Sequence, residues 1–272
     1  MEIVLTVALV GLAMIGIELW KPGRSWPSVR GWWLRAILLN SGQVASSWLA
    51  GLTWDHWMSD LKPFDASGLG SVGGAVVGYL AITFVFYWWH RWRHEVPILW
   101  RLLHQVHHSP QRLEIITSFY KHPLEIVSNG IISSAVLTFL CGLNPTQIVG
   151  AVVLSGFAEL FYHWNVKTPH WLGYIIQRPE SHCVHHQEGL HKWNYGDLPL
   201  WDMLFGTFRN PPTFDGRCGF GDKELELWPM LMFRDVNPES TSNITSETSP
   251  GMASPSGAES GPASPAASAT AS

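Results

Sequence analysis

The sequence predicts an all-α integral membrane protein in which about four to five membrane-embedded helices carry a histidine-rich helical cap on the cytoplasmic side. Hydrophobic residues make up 46% of the 272 residues and charged residues only 14%, whereas a soluble domain carries about a quarter charged residues. The 16 tryptophans fit this class, because indole rings favour the membrane–water interface. Five apolar segments approach the length of about 20 residues that a helix needs to cross a bilayer.

The five apolar segments follow one another at residues 3–19, 36–54, 72–89, 124–142 and 146–162. The first lacks a basic start and a small-residue cleavage site, so we interpret it as a retained helix rather than a signal peptide. The second is less apolar, and the last two contain polar residues, so these three could be embedded without crossing completely. The short CGLNP turn between the last two predicts a hairpin of antiparallel helices.

Lysine and arginine residues concentrate after the first, third and fifth apolar segments, at residues 21–35, 91–121 and 167–192. Because basic loops stay on the cytoplasmic side of a membrane, all three regions are predicted to face the cytoplasm. The clustered histidines then lie on that same face. We therefore expect a multi-pass protein of the inner or cytoplasmic membrane with its active site on the cytoplasmic side.

Composition divides the chain into three regions, at residues 1–71, 72–236 and 237–272. We expect N-terminal membrane helices and a loop in the first region and the catalytic domain in the second. The third is rich in serine, proline and small residues and lacks aromatic residues, which predicts disorder. The net charge of −4, without a basic stripe, argues against a nucleic-acid partner. The three widely spaced cysteines form no disulfide framework.

Eight of the 13 histidines form three clusters that are spaced like metal ligands. The clusters are His90-Arg-Trp-Arg-His94, His104-Gln-Val-His107-His108 and His182-Cys-Val-His185-His186. Residues three or four apart share a helix face, so each cluster can present two imidazoles to one ion. The adjacent histidine of an HxxHH cluster is turned by about 100° around the helix axis, which suits ligands to two neighbouring metals.

Eight imidazoles exceed the four ligands of a tetrahedral zinc site, so two metal ions are the simplest interpretation. Imidazole binds iron, copper, zinc and nickel, so the ligand type alone does not identify the metal. A membrane zinc hydrolase and a non-enzymatic haem or metal carrier are the alternatives. The hydrolase would need one open metal site and a general base, and the HExxH motif is absent. The isolated histidines His56, His170 and His191 are interpreted as surface or structural residues.

In order and spacing the clusters resemble the histidine boxes of the fatty acid hydroxylase / sterol desaturase superfamily, which are membrane di-iron enzymes. Four further motifs are similar to family elements, so that the resemblance covers residues 72–210. The motifs are Phe119-Tyr-Lys-His122-Pro123-Leu-Glu125, Phe161-Tyr-His163-Trp-Asn165, Pro179-Glu-Ser-His182 and Asn194-Tyr-Gly196…Trp201-Asp202-Met-Leu-Phe205-Gly206-Thr207. Their combination is specific, whereas a single HxxHH cluster would not be.

The resemblance implies further metal ligands and residues that support them. It adds His163 as a ligand and His122 as a candidate ligand. Glu159 lies four residues before His163 on the same helical face, and it is either a carboxylate ligand or, as we favour, an acceptor from an imidazole N–H. No catalytic residue is predicted beyond the metal centre. The residues expected to support ligands without binding metal are Asn165, Asn194 and Asp202; Asp202 could instead cap a helix.

The resemblance also implies two iron ions (Fe2+), O2 as co-substrate and a lipid substrate within the membrane. A lipid C–H bond has no acidic proton for a base to remove, so a strong oxidant formed from O2 at a cofactor is needed. Hydroxylation is the favoured prediction, and desaturation of a sterol, hopanoid or fatty acyl chain is the alternative. Because no cytochrome b5, iron–sulfur or flavin motif occurs, we expect a separate electron donor of the cytochrome b5, ferredoxin or reductase type.

Overall fold

The computed structural model describes residues 2–58 and 63–238, and its regular structure is helical. The α-helices are α1 (Glu2–Trp20), α2 (Trp32–Leu52), α3 (Trp54–Met58), α4 (Gly70–Glu95), α5 (Pro97–Leu99), α6 (Gln105–His108), α7 (Pro123–Ser134), α8 (Pro145–His163), α9 (Pro179–His185), α10 (Pro199–Leu204) and α11 (Leu227–Leu231). Segments of π-helix follow α5 at Trp100–His104 and α7 at Ala135–Leu140. Short 3₁₀ turns lie at Ser67–Leu69, Ile115–Thr117, His170–Tyr174 and Gly221–Leu225. The predicted disordered tail at 237–272 lies outside the described residues from residue 239 onward.

Among residues 2–58 and 63–238, three helical segments are long and apolar enough to cross a membrane, and Leu9–Trp20, within α1, is a shorter apolar stretch. The three segments are Ser67–Glu95, Pro123–Leu140 and Pro145–His163. They coincide with the third, fourth and fifth apolar segments of the sequence, so the prediction of an all-α membrane protein is confirmed. Helix α2 matches the second predicted segment but is not one of the three, since polar residues such as Asn40 and Gln43 interrupt it.

Proline and polar side chains define where the helices around the histidines begin. The Asn144 side chain accepts from the Gln147 N–H (3.1 Å), and the Gln147 side chain accepts from the Asn144 N–H (2.9 Å), which forms a capping box at the start of α8. Helices α7, α8 and α9 each begin with a proline, whose fixed φ suits the first turn and whose missing N–H needs no partner there. These local sequence signals determine where α7, α8 and α9 begin.

Helices α4 and α8 pack closely against each other. At Gly78 a Cβ atom would lie only 2.7 Å from Leu143 Cδ1 and 3.0 Å from Ala151 Cβ. Small residues allow helix backbones to approach in a membrane, where packing rather than hydrophobic transfer drives association. The contact fixes the ends of α4 and α8, which carry three of the predicted ligands.

The three apolar helices present the same end of the bundle to the histidine-rich cap, where α4 ends, α7 begins and α8 ends. Helix α1 is joined to this end through Trp164, whose indole N–H donates to the Met14 carbonyl at 2.9 Å. Just after α1, the Gly23 N–H donates to the Asn165 carbonyl at 2.7 Å. The cap therefore rests on several helices at once, which restricts the relative positions of its histidines.

Candidate metal centre

Nine largely buried imidazoles converge at this end of the bundle in two adjacent groups. The five-histidine group contains His90, His94, His104, His108 and His185, and the four-histidine group contains His107, His163, His182 and His186. Within each group, one ring nitrogen from every member lies within 4.8 Å of the others. The structure thus brings together all nine histidines predicted as ligands, while their binding of metal stays a prediction.

Helix geometry divides the histidine clusters between the two groups. His107 and His108 belong to different groups, and so do His185 and His186. The reason is that adjacent residues of a helix point about 100° apart. The π-helical segment that ends at His104 directly precedes this turn, and such local widening of a helix occurs frequently at functional sites.

Hydrogen bonds from outside orient most members of the five-histidine group. The Nδ1–H of His90 donates to the Tyr195 carbonyl at 2.8 Å, and that of His185 donates to the Trp193 carbonyl at 2.6 Å. His104 Nδ1 lies 3.1 Å from a carboxylate oxygen of Glu125. Such partners fix the ring orientation and direct the other nitrogen, Nε2, towards the centre of the group.

The two carbonyl acceptors belong to a backbone segment with unusual dihedral angles. His191, Trp193 and Asn194 have φ values of 44°, 70° and 51°, in the left-handed region that non-glycine residues rarely adopt. The Asn194 side chain holds this segment, since its amide donates to the carbonyls of Ser181 (2.9 Å) and Arg209 (2.8 Å). Observed strain of this kind is typical of functional sites.

Asp202 anchors the end of the same segment. Its carboxylate accepts from the backbone N–H groups of Tyr195 and Gly196, each at 2.8 Å, and from the Thr207 hydroxyl at 2.7 Å. Neither Asp202 nor Asn194 forms a hydrogen bond to an imidazole within the described part of the chain. They act on the histidines through the backbone that accepts from two of them.

The four-histidine group has fewer such partners. His163 Nδ1 donates to the Glu159 carbonyl at 2.9 Å, one helical turn before it. The Nδ1 atoms of His107, His182 and His186 are buried without a hydrogen-bond partner among residues 2–58 and 63–238. The Nε2 atoms of His163 and His186 each lie 3.1 Å from His182 Nε2. Contacts between the rings themselves therefore dominate this group.

Burial keeps the imidazoles of the cap in their neutral form, which is the form that binds metal. Removal from water lowers the pKa of His185 and of His191 to about 3. For the other cap histidines, burial and then the neighbouring charged groups lower the pKa well below its ordinary value. These histidines are His104, His107, His108, His182 and His186.

One pair of nitrogens fits a bound cation especially well. A carbonyl oxygen only accepts, so Nδ1 of both His90 and His185 carries the hydrogen. The two Nε2 atoms then each present a lone pair, yet they lie 3.0 Å apart. Two lone pairs at this distance repel each other unless a positive charge lies beside them. Neutral imidazoles arranged in this way suit iron, among other transition metals.

Two other predicted residues lie outside both groups. The His122 ring caps α7, where its Nδ1 accepts from the Leu124 N–H at 3.0 Å. The Asn165 side chain bonds to the backbone of Arg24, with two contacts of 2.9 Å. His122 thus has a structural partner, and Asn165 connects the end of α8 to the segment that follows α1.

Glu159 has different roles for its side chain and its backbone. The carboxylate forms an ion pair with Lys121 and is not part of either histidine group. The backbone carbonyl is the acceptor for His163 Nδ1. The support that we expected from the Glu159 side chain is thus provided, for this imidazole, by its main chain.

Two side chains that support the histidines were not predicted. Glu125 contacts His104 and also forms a buried ion pair with Arg93. Its signal was available, because Glu125 is the acidic residue of the HPxE element. His191 is 1% exposed and lies 3.2 Å from His108 Nδ1, measured between the two Nδ1 atoms. His191 is thus a buried residue beside the five-histidine group and belongs to neither group of candidate ligands, and its sequence spacing gives no hint of its contact with His108.

A cavity of about 540 Å³ reaches the histidines from the bundle. Its walls include His90, His104, His107 and His182 and continue along α4, α7 and α8. A volume of this size lies within the range of small-molecule sites, roughly 300–1,000 Å³. The histidine groups are therefore accessible to a ligand that occupies the space between the apolar helices.

Comparison with known proteins identifies relatives of this region. Residues 75–207 match the sequence model of the fatty acid hydroxylase family. Human alkylglycerol monooxygenase is 34% identical over 139 residues, which cover 48% of this chain and 29% of that protein. An ornithine lipid hydroxylase of Rhizobium tropici is 35% identical over 142 residues, 50% of this chain and 42% of that protein. A tobacco Delta(7)-sterol-C5(6)-desaturase is 27% identical over 158 residues, 56% of either chain.

The matched region spans less than half the length of the first two relatives. No solved structure matches the chain. The family match nevertheless includes all three histidine clusters and the supporting segment up to Thr207. Residues 75–207 of the chain therefore form a fatty acid hydroxylase domain.

Proposed function

We propose that this protein is a membrane-bound di-iron oxygenase that hydroxylates a C–H bond of a lipid with O2 and electrons from a separate donor. The observation that carries the proposal is the convergence of nine largely buried imidazoles in two groups, with the unprotonated Nε2 atoms of His90 and His185 facing each other at 3.0 Å. The similarity to lipid hydroxylases and sterol desaturases supports the same class of reaction.

The five-histidine group would hold one iron ion and the four-histidine group the other. Bound iron would supply the oxidising chemistry that activates O2 and removes hydrogen from an unactivated carbon. In the overall reaction, one oxygen atom enters the C–H bond to give an alcohol. The other leaves as water with two protons and the two electrons from the donor, so the reaction balances.

The chain itself holds the ligands, excludes water and positions the substrate. The Trp193 and Tyr195 carbonyls keep the Nδ1 protons of two imidazoles in place, so that Nε2 stays available. Burial of the rings removes water from around the centre. The cavity that begins at His107 and His182 would align a lipid with this centre.

Lipid desaturation is the second candidate, because the relatives include a sterol desaturase and human lathosterol oxidase, the latter 27% identical over 156 residues. The same site would then remove two hydrogens instead of inserting oxygen. A membrane zinc hydrolase is less well supported, since two groups of five and four imidazoles exceed the needs of one zinc ion.

We further propose that residues 72–236 form the catalytic domain and that its histidine cap faces the cytoplasm. The basic residues of this cap support that orientation. A protein of the cytochrome b5, ferredoxin or reductase type would deliver electrons from the same side. The protein would lie in the inner or cytoplasmic membrane.

Metal analysis and lipid analysis together test the proposal. The purified chain should contain two iron ions, and a host that carries the gene should contain a lipid heavier by one oxygen atom than in the host without it. A lipid lighter by two hydrogens would indicate the desaturase instead. Full turnover by His107→Ala or His185→Ala, or a single zinc ion per chain, would contradict the proposed centre.

A further inference from the structure

Helix α10 carries apolar side chains on the outside of the protein. Leu200, Met203 and Leu204 are three or four residues apart, so they share one face of the helix. All three are exposed, and Leu204 is 62% exposed. Asp202 lies on the opposite side, where its buried carboxylate accepts from the Tyr195 N–H at 2.8 Å. The helix therefore turns its polar side towards the protein and its apolar side outwards.

Contacts with α4 place α10 at the level of an apolar membrane segment. The Trp201 indole N–H donates to the Thr83 hydroxyl at 3.1 Å, and the rings of Trp201 and Phe84 lie 5.1 Å apart between centroids. Thr83 precedes His90 by seven residues, or about 10 Å along the helix axis, and lies within the apolar segment 72–89. Helix α10 thus extends from the cap towards the hydrocarbon region.

The exposed face of α10 continues into other apolar surface. Phe84 and Leu80, which lie one turn apart on the same face of α4, are both exposed. Helix α10 also contacts the turn at His170–Tyr174, where Trp171 and the following Ile175 are exposed. Aromatic residues such as Trp171 favour the membrane–water interface. A continuous apolar surface therefore joins the lower side of the cap to the membrane-facing side of α4.

The polar groups of α10 are arranged as a hydrocarbon environment requires. Unpaired backbone polar groups are costly in a bilayer. Pro199, at the start of the helix, has no N–H to satisfy. The Trp201 N–H donates to the Leu198 carbonyl at 3.3 Å, and the Phe205 N–H donates to the Trp201 carbonyl at 2.9 Å. Asp202 is the one charged residue of α10, and its side chain is buried.

A cation lies at the side of this surface that is nearer to the histidines. Arg209 is exposed, and its guanidinium lies 3.9 Å from the centre of the Trp193 ring. The Trp193 carbonyl accepts from His185, so Arg209 lies closer to the level of the histidine groups than α10 does. Arginine at the membrane surface is attracted to anionic lipid headgroups. Apolar, aromatic and basic side chains thus follow one another in the order of hydrocarbon, interface and headgroups.

We propose that α10 is embedded in the lipid bilayer, with its exposed face among the acyl chains and Arg209 at the headgroups. The partner of this face is the lipid itself, because a water-soluble protein cannot reach the level of Thr83. The membrane-bound part of the chain then includes an element of the cap in addition to the three apolar helices. Through Asp202, the embedded helix holds the backbone segment that accepts from the imidazoles.

Spin labelling tests the depth of α10 without reference to iron or turnover. A nitroxide is attached to Leu204→Cys in the full chain, in nanodiscs of phosphatidylcholine and phosphatidylglycerol, after Cys141→Ser has removed the partly exposed native thiol. Val76→Cys on α4 and Thr213→Cys on the cap are the hydrocarbon and water controls, because both residues are exposed. We expect the label at Leu204 to collide with O2 more often than with a water-soluble nickel chelate, as at Val76, and the reverse at Thr213.

Two other results would overturn the proposal. A label at Leu204 that meets the nickel chelate as often as the label at Thr213 would show that α10 faces water. Protection of Leu204 from both reagents would show that a second copy of the chain or another membrane protein covers this face. Neither result bears on the proposed oxygenase activity, so the two proposals can fail separately.

A charged substitution provides the second test, with Leu204→Asp compared with Leu225→Asp. Leu225 is the matched control, because it is 53% exposed and lies between Glu224 and Glu226. An exposed leucine in water tolerates this change, whereas a carboxylate among acyl chains is unfavourable. In nanodiscs the thermal midpoint should fall by on the order of 5 °C for Leu204→Asp and by less than about 2 °C for Leu225→Asp. Equal shifts in the two variants would overturn the proposal.

Discussion

The five-histidine and four-histidine groups are neighbours, but the protein supports them very differently. Four members of the first group have a contact that orients the ring from outside, through Tyr195, Trp193, Glu125 or His191. In the second group, only His163 has one among the residues that the structure describes. Outer contacts fix the rotation and tautomer of a ligand before metal arrives. The imidazoles of the first group are therefore preorganised by the protein, whereas the arrangement of the second group would depend more on a bound ion.

The largest expected effect comes from removing one imidazole from each group. His186→Ala leaves three imidazoles in the four-histidine group, so we expect one iron per chain and turnover lowered by more than about 100-fold. His94→Ala leaves four in the other group, which should keep most of its iron. His94 is a suitable partner for this comparison because, like His186, it is buried within its group. Equal iron loss in the two variants would show that the groups are not distinct.

Glu125→Gln tests the support of the five-histidine group. It weakens the contact with His104 and should lower iron affinity at this group by about 10–100-fold. Glu224→Gln is the matched control, since Glu224 is also buried and pairs with Arg35 at 2.8 Å, away from the histidines. Thermal unfolding and iron titration measured on both variants separate the effects. Similar destabilisation with iron affinity lost only in Glu125→Gln is expected; unchanged affinity in both would contradict the role of Glu125.

Asn194 tests the backbone segment that carries the carbonyl acceptors. Both Asn194→Gly and Asn194→Ala remove its side-chain hydrogen bonds, each worth about 1 kcal/mol. Only glycine adopts the left-handed φ of 51° without a steric cost, so the alanine variant should be less stable by about a further 1 kcal/mol. Iron release from the five-histidine group should follow the same order. A reversed order in unfolding free energy would indicate that the segment is not strained.

A smaller, pH-dependent effect is expected at Asp202, the other anchor of this segment. Burial raises its pKa from 3.8 to about 7, although Thr207 and two backbone N–H groups oppose the shift. The folded protein therefore holds this proton more tightly than the unfolded chain. Between about pH 4 and 7 stability should fall as pH rises, by at most about 1.4 kcal/mol per pH unit from this group. Thermal unfolding of Asp202→Asn should show a shallower slope across this window; an unchanged slope would exclude Asp202 as its source.

The sequence was informative where a signal resides in side-chain spacing. The apolar segments predicted the positions of α4, α7 and α8, because a membrane helix requires a long apolar stretch, although α4 continues six residues beyond the predicted segment 72–89. The HxxHH spacing likewise anticipated that His107 and His108 would point in different directions. These features follow from helical periodicity, which is visible in a single sequence.

The features that the sequence did not predict depend on backbone conformation and on contacts between residues that are distant in the sequence. Every residue has the same backbone carbonyl, so no amino-acid pattern marks those of Trp193 and Tyr195 as acceptors. The left-handed conformation at Trp193 could not be predicted, because the residue is not a glycine. His191 reaches His108 only through the fold, and the separation between these residues carries no periodic signal.

X-ray absorption at the iron edge, combined with the iron content per chain, tests whether the two histidine groups each bind iron. We expect two iron ions per chain, both ligated mainly by imidazole nitrogen, and loss of one of them in His186→Ala. A single metal ion, a haem spectrum, or a coordination shell dominated by oxygen or sulfur would contradict it.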